Sequence, residues 1–556
     1  MLTRARLLPA PTIVLAVLVA GLLIARCGEA PALRIEGLVL VHGTPQPRSA
    51  ARDQSALRVS APASLHGIVQ DATTMLSEQG APALRLVTEG TPAELRVAFS
   101  ERPGFGPVLR WWSVVSAAAR LDLTDVSSER VAEAARNGLL YVRRDDLELA
   151  RLLLDDHATL IPLPEAEVAA RLHEQSGSLA LLPLEAVSVR VRALALDGRD
   201  PVRGSGDLSA YPLVTRATVD VIQLDARRQV AALALAEALH RPPPVPITLA
   251  FTGDLIPTRC VYDQLRRAND WTAPFKLVGE RLRAAAITIG SLDAAISDKG
   301  QPIGCRETYN LLAPPQVVEG FQAAGFDVIT VATNHVKDCG SAGSCGDAAF
   351  LDTLSNLKRA GIESVGGGVN LAAARAPALV TAGGVRFAFL GYDDIAAYNN
   401  AREDAPGTAP LDLETLAADV RAARAVADVV VVLPQWGEEY TPHPTARQQQ
   451  AARVAVDAGA ALVAGNHPHV VQAAGPLANG YVAYALGNFV FDQDWSVETT
   501  EGVILEATFH GSRLVAVQFV PVRIRARLQP AYLDASEGLT VLRRMMQAAA
   551  KLTPLR

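Results

Sequence analysis

Two histidines one residue apart, His467 and His469 in Gly465-Asn-His-Pro-His469, end a short apolar run and offer imidazole nitrogens of the kind that ligate divalent metals. Polar residues stand at five other points of the same character. Asp254 follows the apolar run 247–252, Asp293 follows 285–289, and Asn334-His335 follows 327–332. Gln435-Trp-Gly-Glu-Glu-Tyr440 follows 429–433, and Asn488 follows 482–486. Each has an ordinary structural reading on its own: Asp254 and Asn334 as turn formers, His335 as a helix cap, Trp436 as core, Glu438 and Glu439 as a solvated pair. Together they supply the hard oxygens and imidazoles that a pair of divalent ions needs.

The elements that position these residues read as strands alternating with helices. Residues 429–433 form an apolar run, 445–458 have helical character, and 461–464 form the next run, which is the grammar of a strand–helix–strand unit. In such α/β units the loops past the carboxyl ends of the parallel strands carry the site. The expected fold class is therefore α/β, with the candidate residues in loops at one rim of the sheet.

Six pieces carry a family resemblance: Gly253-Asp254, Ser291-Leu-Asp293, Asn334-His335, Trp436-Gly-Glu-Glu-Tyr440, Gly465-Asn-His-Pro-His-Val470 and Leu486-Gly-Asn-Phe-Val-Phe-Asp492. By their order and spacing, residues 247 to about 525 resemble the CapA-type poly-γ-glutamate capsule biosynthesis proteins, which are similar to calcineurin-type metallophosphoesterases. The resemblance implies a four-layer α/β sandwich with its ligands at one rim. It implies Asp254 and His469 on one ion, Asn334 and His467 on the other, Asp293 between them, and His335 near a leaving group. The implied cofactor is one or two divalent ions, Mn, Mg, Fe or Zn. Two positions depart from the family pattern. Asp293 stands where a glutamate is usual, and Gln435 where a histidine is usual; a neutral amide is a poorer ligand than imidazole for a borderline ion.

The 556 residues fall into expected segments: 1–27 a signal peptide or membrane anchor, 28–54 a spacer, 55–240 a first α/β domain, 241–246 a proline-rich linker, 247–530 the CapA-type domain, and 531–556 a C-terminal helix or tail. Arg4 and Arg6 before the apolar run 7–25 predict export of the chain beyond that run. Ile24-Ala-Arg-Cys27 resembles a lipoprotein box, but Arg26 occupies a position where a small residue belongs. The first domain has alternating strand and helix signals, and 177–213 resemble the second lobe of a periplasmic solute-binding protein, which makes the domain two-lobed. Ser60 and Ser64 are expected to cap its first helix, over 65–78, or to offer an anion site.

Composition bounds the function. Fifty-two Lys+Arg against 58 Asp+Glu give a net charge of −6 with no long basic run, which excludes electrostatically driven nucleic-acid binding. No P-loop is present, which argues against ATP-driven polymerisation by this chain alone. Cys260, Cys305, Cys339 and Cys345 are an even set in a chain expected outside the cytoplasm, and disulfides are expected among them, with a small Cys339–Cys345 loop as one of three pairings. The leading expectation is an exported, membrane-tethered protein acting on a cell-surface polymer or phosphoester, with a membrane capsule-synthesis complex as its expected partner. The alternative is a non-catalytic binding protein with a degenerate metal site.

Overall fold

The structure is a computed structural model that describes residues 56–552 apart from 80, 82, 101–105, 155–157, 343 and 344. The signal or anchor expected over 1–27 and the spacer over 28–54 lie outside the described residues. Among the described residues no helix is long and apolar enough to cross a membrane.

Alternation along the strands, broken in the first by an irregularity after Phe251, builds the second half of the chain. In Ile247–Leu255, Ile247, Leu249 and Phe251 enter one apolar cluster while Ala250 and Leu255 enter another. In Val429–Gln435, Val429, Val431 and Leu433 join that first cluster while Val430 and Val432 face a third. Strands buried on both faces in this way must be covered on both sides. The shared cluster therefore lies between two sheets packed face to face, and the other two lie under outer helices. Arg259–Ala268 and Gly346–Arg359 cover one sheet, with Val261, Leu265, Phe350 and Leu357 buried. Leu413–Arg424 and Ala446–Ala458 cover the other, through Leu416, Val420, Ala451 and Ala455. The result is a four-layer α/β sandwich.

The first sheet of the sandwich runs, in spatial order, Glu363–Val365, Val328–Thr330, Ile287–Leu292, Ile247–Leu255, Glu501–His510, Arg513–Arg525 and Gln529–Tyr532. Its first four strands are parallel. In the second sheet Val385–Asp393, Val429–Gln435, Leu462–Ala464 and Gly480–Ala483 are parallel neighbours. Both sheets thus bring their parallel carboxyl ends to the rim where the candidate residues stand.

The segment preceding the sandwich forms its own ten-stranded sheet. Its two halves are joined by Val214–Val221, which pairs with Val108–Ala117 at one end and Leu95–Phe99 at the other across a bulge at Thr215/Arg216. The architecture is a two-lobed α/β domain before the sandwich. Its first helix, His66–Glu78, follows a 3-10 turn Ala63–Leu65, and neither carries a side-chain cap. The capping expected of Ser60 and Ser64 is absent because Pro62 and Leu65 occupy the capping positions. Ser60 instead lines a cavity of about 900 Å3 beside the paired Arg58 and Glu94. Residues 240–246 have no regular structure, and the chain there is held by Trp111 Nε1, which donates to the Arg241 carbonyl at 2.8 Å.

The cysteines form two disulfides, Cys260–Cys305 and Cys339–Cys345. On a chain-entropy basis the sequence separation of 45 in the first stabilises by about 4 kcal/mol and the separation of 6 in the second by about 2 kcal/mol. Paired Cys→Ser replacement is therefore expected to lower the urea midpoint further at Cys260/Cys305 than at Cys339/Cys345. Equal or reversed losses would mean that local strain rather than loop closure dominates.

Candidate metal centre

Asp254 lies in the last turn of its strand rather than in the loop beyond it. Its partners in register are Ser291 on one side and Asn488 on the other, after an irregularity that begins at Phe251. The preceding Gly253 permits this crowding, since a Cβ there would sit 1.9 Å from the Gly487 carbonyl oxygen. Gln435 is likewise the final residue of Val429–Gln435 and bridges in parallel to Asn466. Both side chains are thus aimed by sheet geometry, with less freedom than a loop would leave.

The His-Pro-His loop is held in an unusual backbone state. His467 and His469 have φ of 99° and 57°, and Tyr440, whose N–H donates to the Pro468 carbonyl at 2.8 Å, has φ of 62°. Left-handed backbone at non-glycine residues costs of order 1–3 kcal/mol each and persists where the surroundings impose it. Here Gly465 packs so closely that a Cβ would lie 2.3 Å from Trp436 Nε1, and that indole donates to the Tyr484 carbonyl at 2.8 Å. Trp436 is core, as its ordinary reading has it, and its packing sets where the loop turns.

These elements bring most of the candidate residues together. His469 Nδ1 lies 3.4 Å from Asp254 Oδ2 and donates to Asn488 Oδ1 at 3.0 Å, leaving Nε2 free to accept or to ligate. The rings of His467 and His469 are 5.8 Å apart. Ligating atoms of Glu439, His467 and His469 all lie within 4.8 Å of one another, so Glu439 stands closer to the cluster than an outer orienting role requires. Glu438 is exposed. Gln435 Nε2 donates to Asn334 Oδ1 at 3.1 Å. Asp492 stands apart from the cluster, paired with Arg259 at 3.0 Å.

Burial is nearly complete, and it leaves polar atoms without partners. Asp254 and Asp293 are both 0 % exposed, and none of their carboxylate oxygens has a hydrogen-bond partner; Gln435 Oε1, Asn466 Oδ1 and His467 Nδ1 are also orphaned. The 3.4 Å approach of His469 to Asp254 is a charge contact without hydrogen-bond geometry. Buried carboxylates without partners are costly unless a cation compensates them. Orphaned oxygens and an imidazole nitrogen gathered at one rim fit a divalent ion.

The electrostatics agree with that fit. Burial raises the Asp293 carboxyl, and the Asp254 charge raises it further against the pull of His335 and His469. Burial drives the His467 imidazole down to about 3, helped by the cationic character of His469 and His335, so it stands neutral and ready to ligate. His469 is raised, because Asp254 and Asp293 outweigh the effect of burial. His335 is raised to about 9, since Asp293 and Asp338 outweigh its burial.

Two contributors leave little trace in the sequence. Asp338 Oδ2 accepts from His335 Nδ1 at 2.7 Å and from the Leu311 amide at 2.7 Å, fixing the ring's tautomer and direction. Its only signal is a carboxylate three residues after the histidine. Asn399 Nδ2 donates to the Asn334 carbonyl at 2.8 Å across 65 residues, a contact that no local pattern announces. Asp338→Asn is expected to lower the pKa of His335, read by NMR titration, with metal content unchanged. Loss of metal in that variant would instead make Asp338 part of the ligand set.

Residues 248–493 match the family model described as bacterial capsule synthesis protein PGA_cap. Over these residues the chain is similar to that family. It is similar to the capsule biosynthesis protein CapA of Bacillus anthracis, 29% identical over 313 residues that cover 55% of this chain and 74% of that protein. The PGA biosynthesis protein CapA of Bacillus subtilis is 28% identical over 302 residues, covering 54% and 77%. Among solved structures, a 5'-nucleotidase precursor from Thermus thermophilus aligns with 55% of this chain and 60% of its own at 16% identity, with a TM-score of 0.30, too low to add to the architecture read from the sheets. The match to the capsule-synthesis family covers every candidate ligand, from Asp254 to His469.

Proposed function

We propose that the sandwich domain is a divalent-metal hydrolase centre of phosphoesterase type, and that the chain acts outside the cytoplasm in synthesis, release or anchoring of an anionic capsule polymer of the poly-γ-glutamate kind. The observation that carries the chemical half is the set of buried, unpartnered oxygens of Asp254 and Asp293 beside a neutral His467. Asp254 and His469 would hold one ion and Asn334, Gln435 and His467 a second, with Asp293 between; Mn, Mg, Fe and Zn all accept such donors. A divalent ion there supplies Lewis-acid stabilisation of charge developing on a phosphoryl oxygen. His335, charged at neutral pH and steadied by Asp338, donates a proton to the departing oxygen. The capsule half rests on the relatives, whose names place them in capsule and PGA biosynthesis.

A second reading, a polymer-binding protein without turnover, is favoured by one contact. Gln435 and Asn334 are bonded to each other, which ties up the Asn334 oxygen that a second ion would use. Metal analysis of the purified chain, with hydrolysis of bis(p-nitrophenyl) phosphate before and after chelation, separates the two. Chelator-sensitive turnover that manganese restores supports the hydrolase. A bound ion with no turnover on any divalent metal supports the binding protein, and no bound ion at all removes both versions of the centre.

A further inference from the structure

A cavity of about 710 Å3 lies where the two-lobed domain meets the sandwich. Ala461 lines it, at the amino end of the strand Leu462–Ala464 whose carboxyl end leads to His467. Cavity and metal centre therefore sit at opposite ends of one sheet. Three arginines line it, Arg143, Arg190 and Arg513, against one carboxylate, Glu165.

The arginines differ in how their charge is used. Arg143 is satisfied by Asp146 and by Glu165 at 2.8 Å. Arg190 reaches only the Ala478 carbonyl, at 3.2 and 3.3 Å, and Asn479 Oδ1 at 3.4 Å, all long for hydrogen bonds. Arg513 donates to the carbonyls of Leu184 and Val187 across the domain boundary. Among the described residues neither Arg190 nor Arg513 has a carboxylate at ion-pair distance. Arg192, next along the chain, is 5 % exposed and donates to the Leu123 and Val517 carbonyls, with no carboxylate at ion-pair distance among the described residues. In a chain of net charge −6, Arg190 and Arg513 stand at one cleft without an ion-pair partner among the described residues and favour an anion there. Leu182, Val189 and Leu514 give the cavity apolar wall, beside the polar Ser188 and Ser512.

We propose that this interdomain cavity binds a chain of carboxylates spaced by methylene groups, a segment of the anionic polymer held away from the metal centre. The guanidiniums of Arg190 and Arg513 would meet carboxylates while the apolar lining covers the methylenes. The anionic character of the ligand follows from the charge of the cleft; the choice of a polycarboxylate rests on the capsule-polymer reading above.

The test is fluorescence anisotropy of a labelled poly-γ-glutamate oligomer on the full chain at low salt, with inorganic phosphate as a competing anion. Binding is expected to weaken as salt rises, to resist phosphate better than a single-charge contact would, and to fall at least tenfold in Arg190→Glu with an unchanged melting midpoint. Arg190 is exposed and weakly bonded, so its replacement leaves the fold intact even if Arg513→Gln loosens the domain boundary. Asp254→Asn with His467→Ala is expected to leave oligomer binding unchanged. Undiminished binding in Arg190→Glu, absence of binding by the unaltered chain, or displacement of the oligomer by phosphate alone would each overturn the proposal. If the metal-centre pair abolishes binding while Arg190→Glu does not, the polymer occupies the metal centre, and only the cavity assignment falls.

Discussion

Replacing Asp293 by asparagine is expected to stabilise the metal-free protein while abolishing the metal-dependent turnover proposed for it. The side chain is 0 % exposed, and neither oxygen has a hydrogen-bond partner. Such a group contributes nothing to packing that an amide of the same shape would not, and its charge is penalised by burial and by Asp254. Neutralising it removes the extra cost of burying a charge rather than an amide, a cost that His335 and His469 only partly offset, and is expected to raise metal-free stability by about 1–3 kcal/mol. The same change removes the oxygen pair placed between the two sets of ligands. Loss of several kcal/mol of charge stabilisation lowers turnover about a thousandfold. Thermal unfolding with and without manganese checks both halves, because an ion that binds only the folded state raises the midpoint of the unaltered chain. If Asp293→Asn instead destabilises the metal-free protein, and the unaltered chain shows no midpoint shift with any divalent ion, the carboxylate is structural and the metal centre is refuted.

The second large effect is expected at Gln435, where the family resemblance implies a histidine. Gln435 is 1 % exposed at the end of its strand; its Nε2 donates to Asn334, and its Oε1 has no partner. Two neutral amides are thus spent on each other at the position proposed for a second ion. Gln435→His places a ring nitrogen there and frees the Asn334 oxygen. Metal content is expected to rise towards two per chain and phosphodiester turnover by about 10- to 100-fold, the scale on which groups around a metal tune it. The unaltered protein should favour Mn²⁺ or Mg²⁺ over Zn²⁺, because an amide oxygen suits a harder ion. His467→Ala in the Gln435→His background should reverse the gain by removing a ligand of the same ion. Should both changes leave metal content and turnover where they were, the two-ion arrangement is wrong and the binding-protein reading stands.

Much of the fold is legible in the sequence because its strands alternate apolar residues over short, bounded runs. Residues 429–433 and 461–464 fall within or against real strands, and the helix expected over 445–458 is Ala446–Ala458, capped by Thr445 with Gln448. Strand ends are less legible. Asp254 and Gln435, expected in loops, lie inside strands, because pairing with Ser291, Asn488 and Asn466 extends those strands past the apolar run. The first helix is expected over 65–78 and forms there, yet its expected serine caps are unused, since the proline at position 62 sets the turn.

The candidate ligands can be named from the sequence because each follows a run whose period is local, and parallel strands send their carboxyl ends to one rim. The even number of late cysteines and the acidic balance are likewise properties of the chain alone. Tertiary structure decided everything that depends on residues far apart in sequence. It set which cysteines pair, that Glu439 approaches His467 and His469, that Asp338 steadies His335, and that Asn399 holds Asn334. It also decided the electrostatics. Desolvation turns ordinary carboxylates at Asp254 and Asp293 into unpartnered ones, and only the packing of the two sheets and their rim loops removes the water that would otherwise satisfy them.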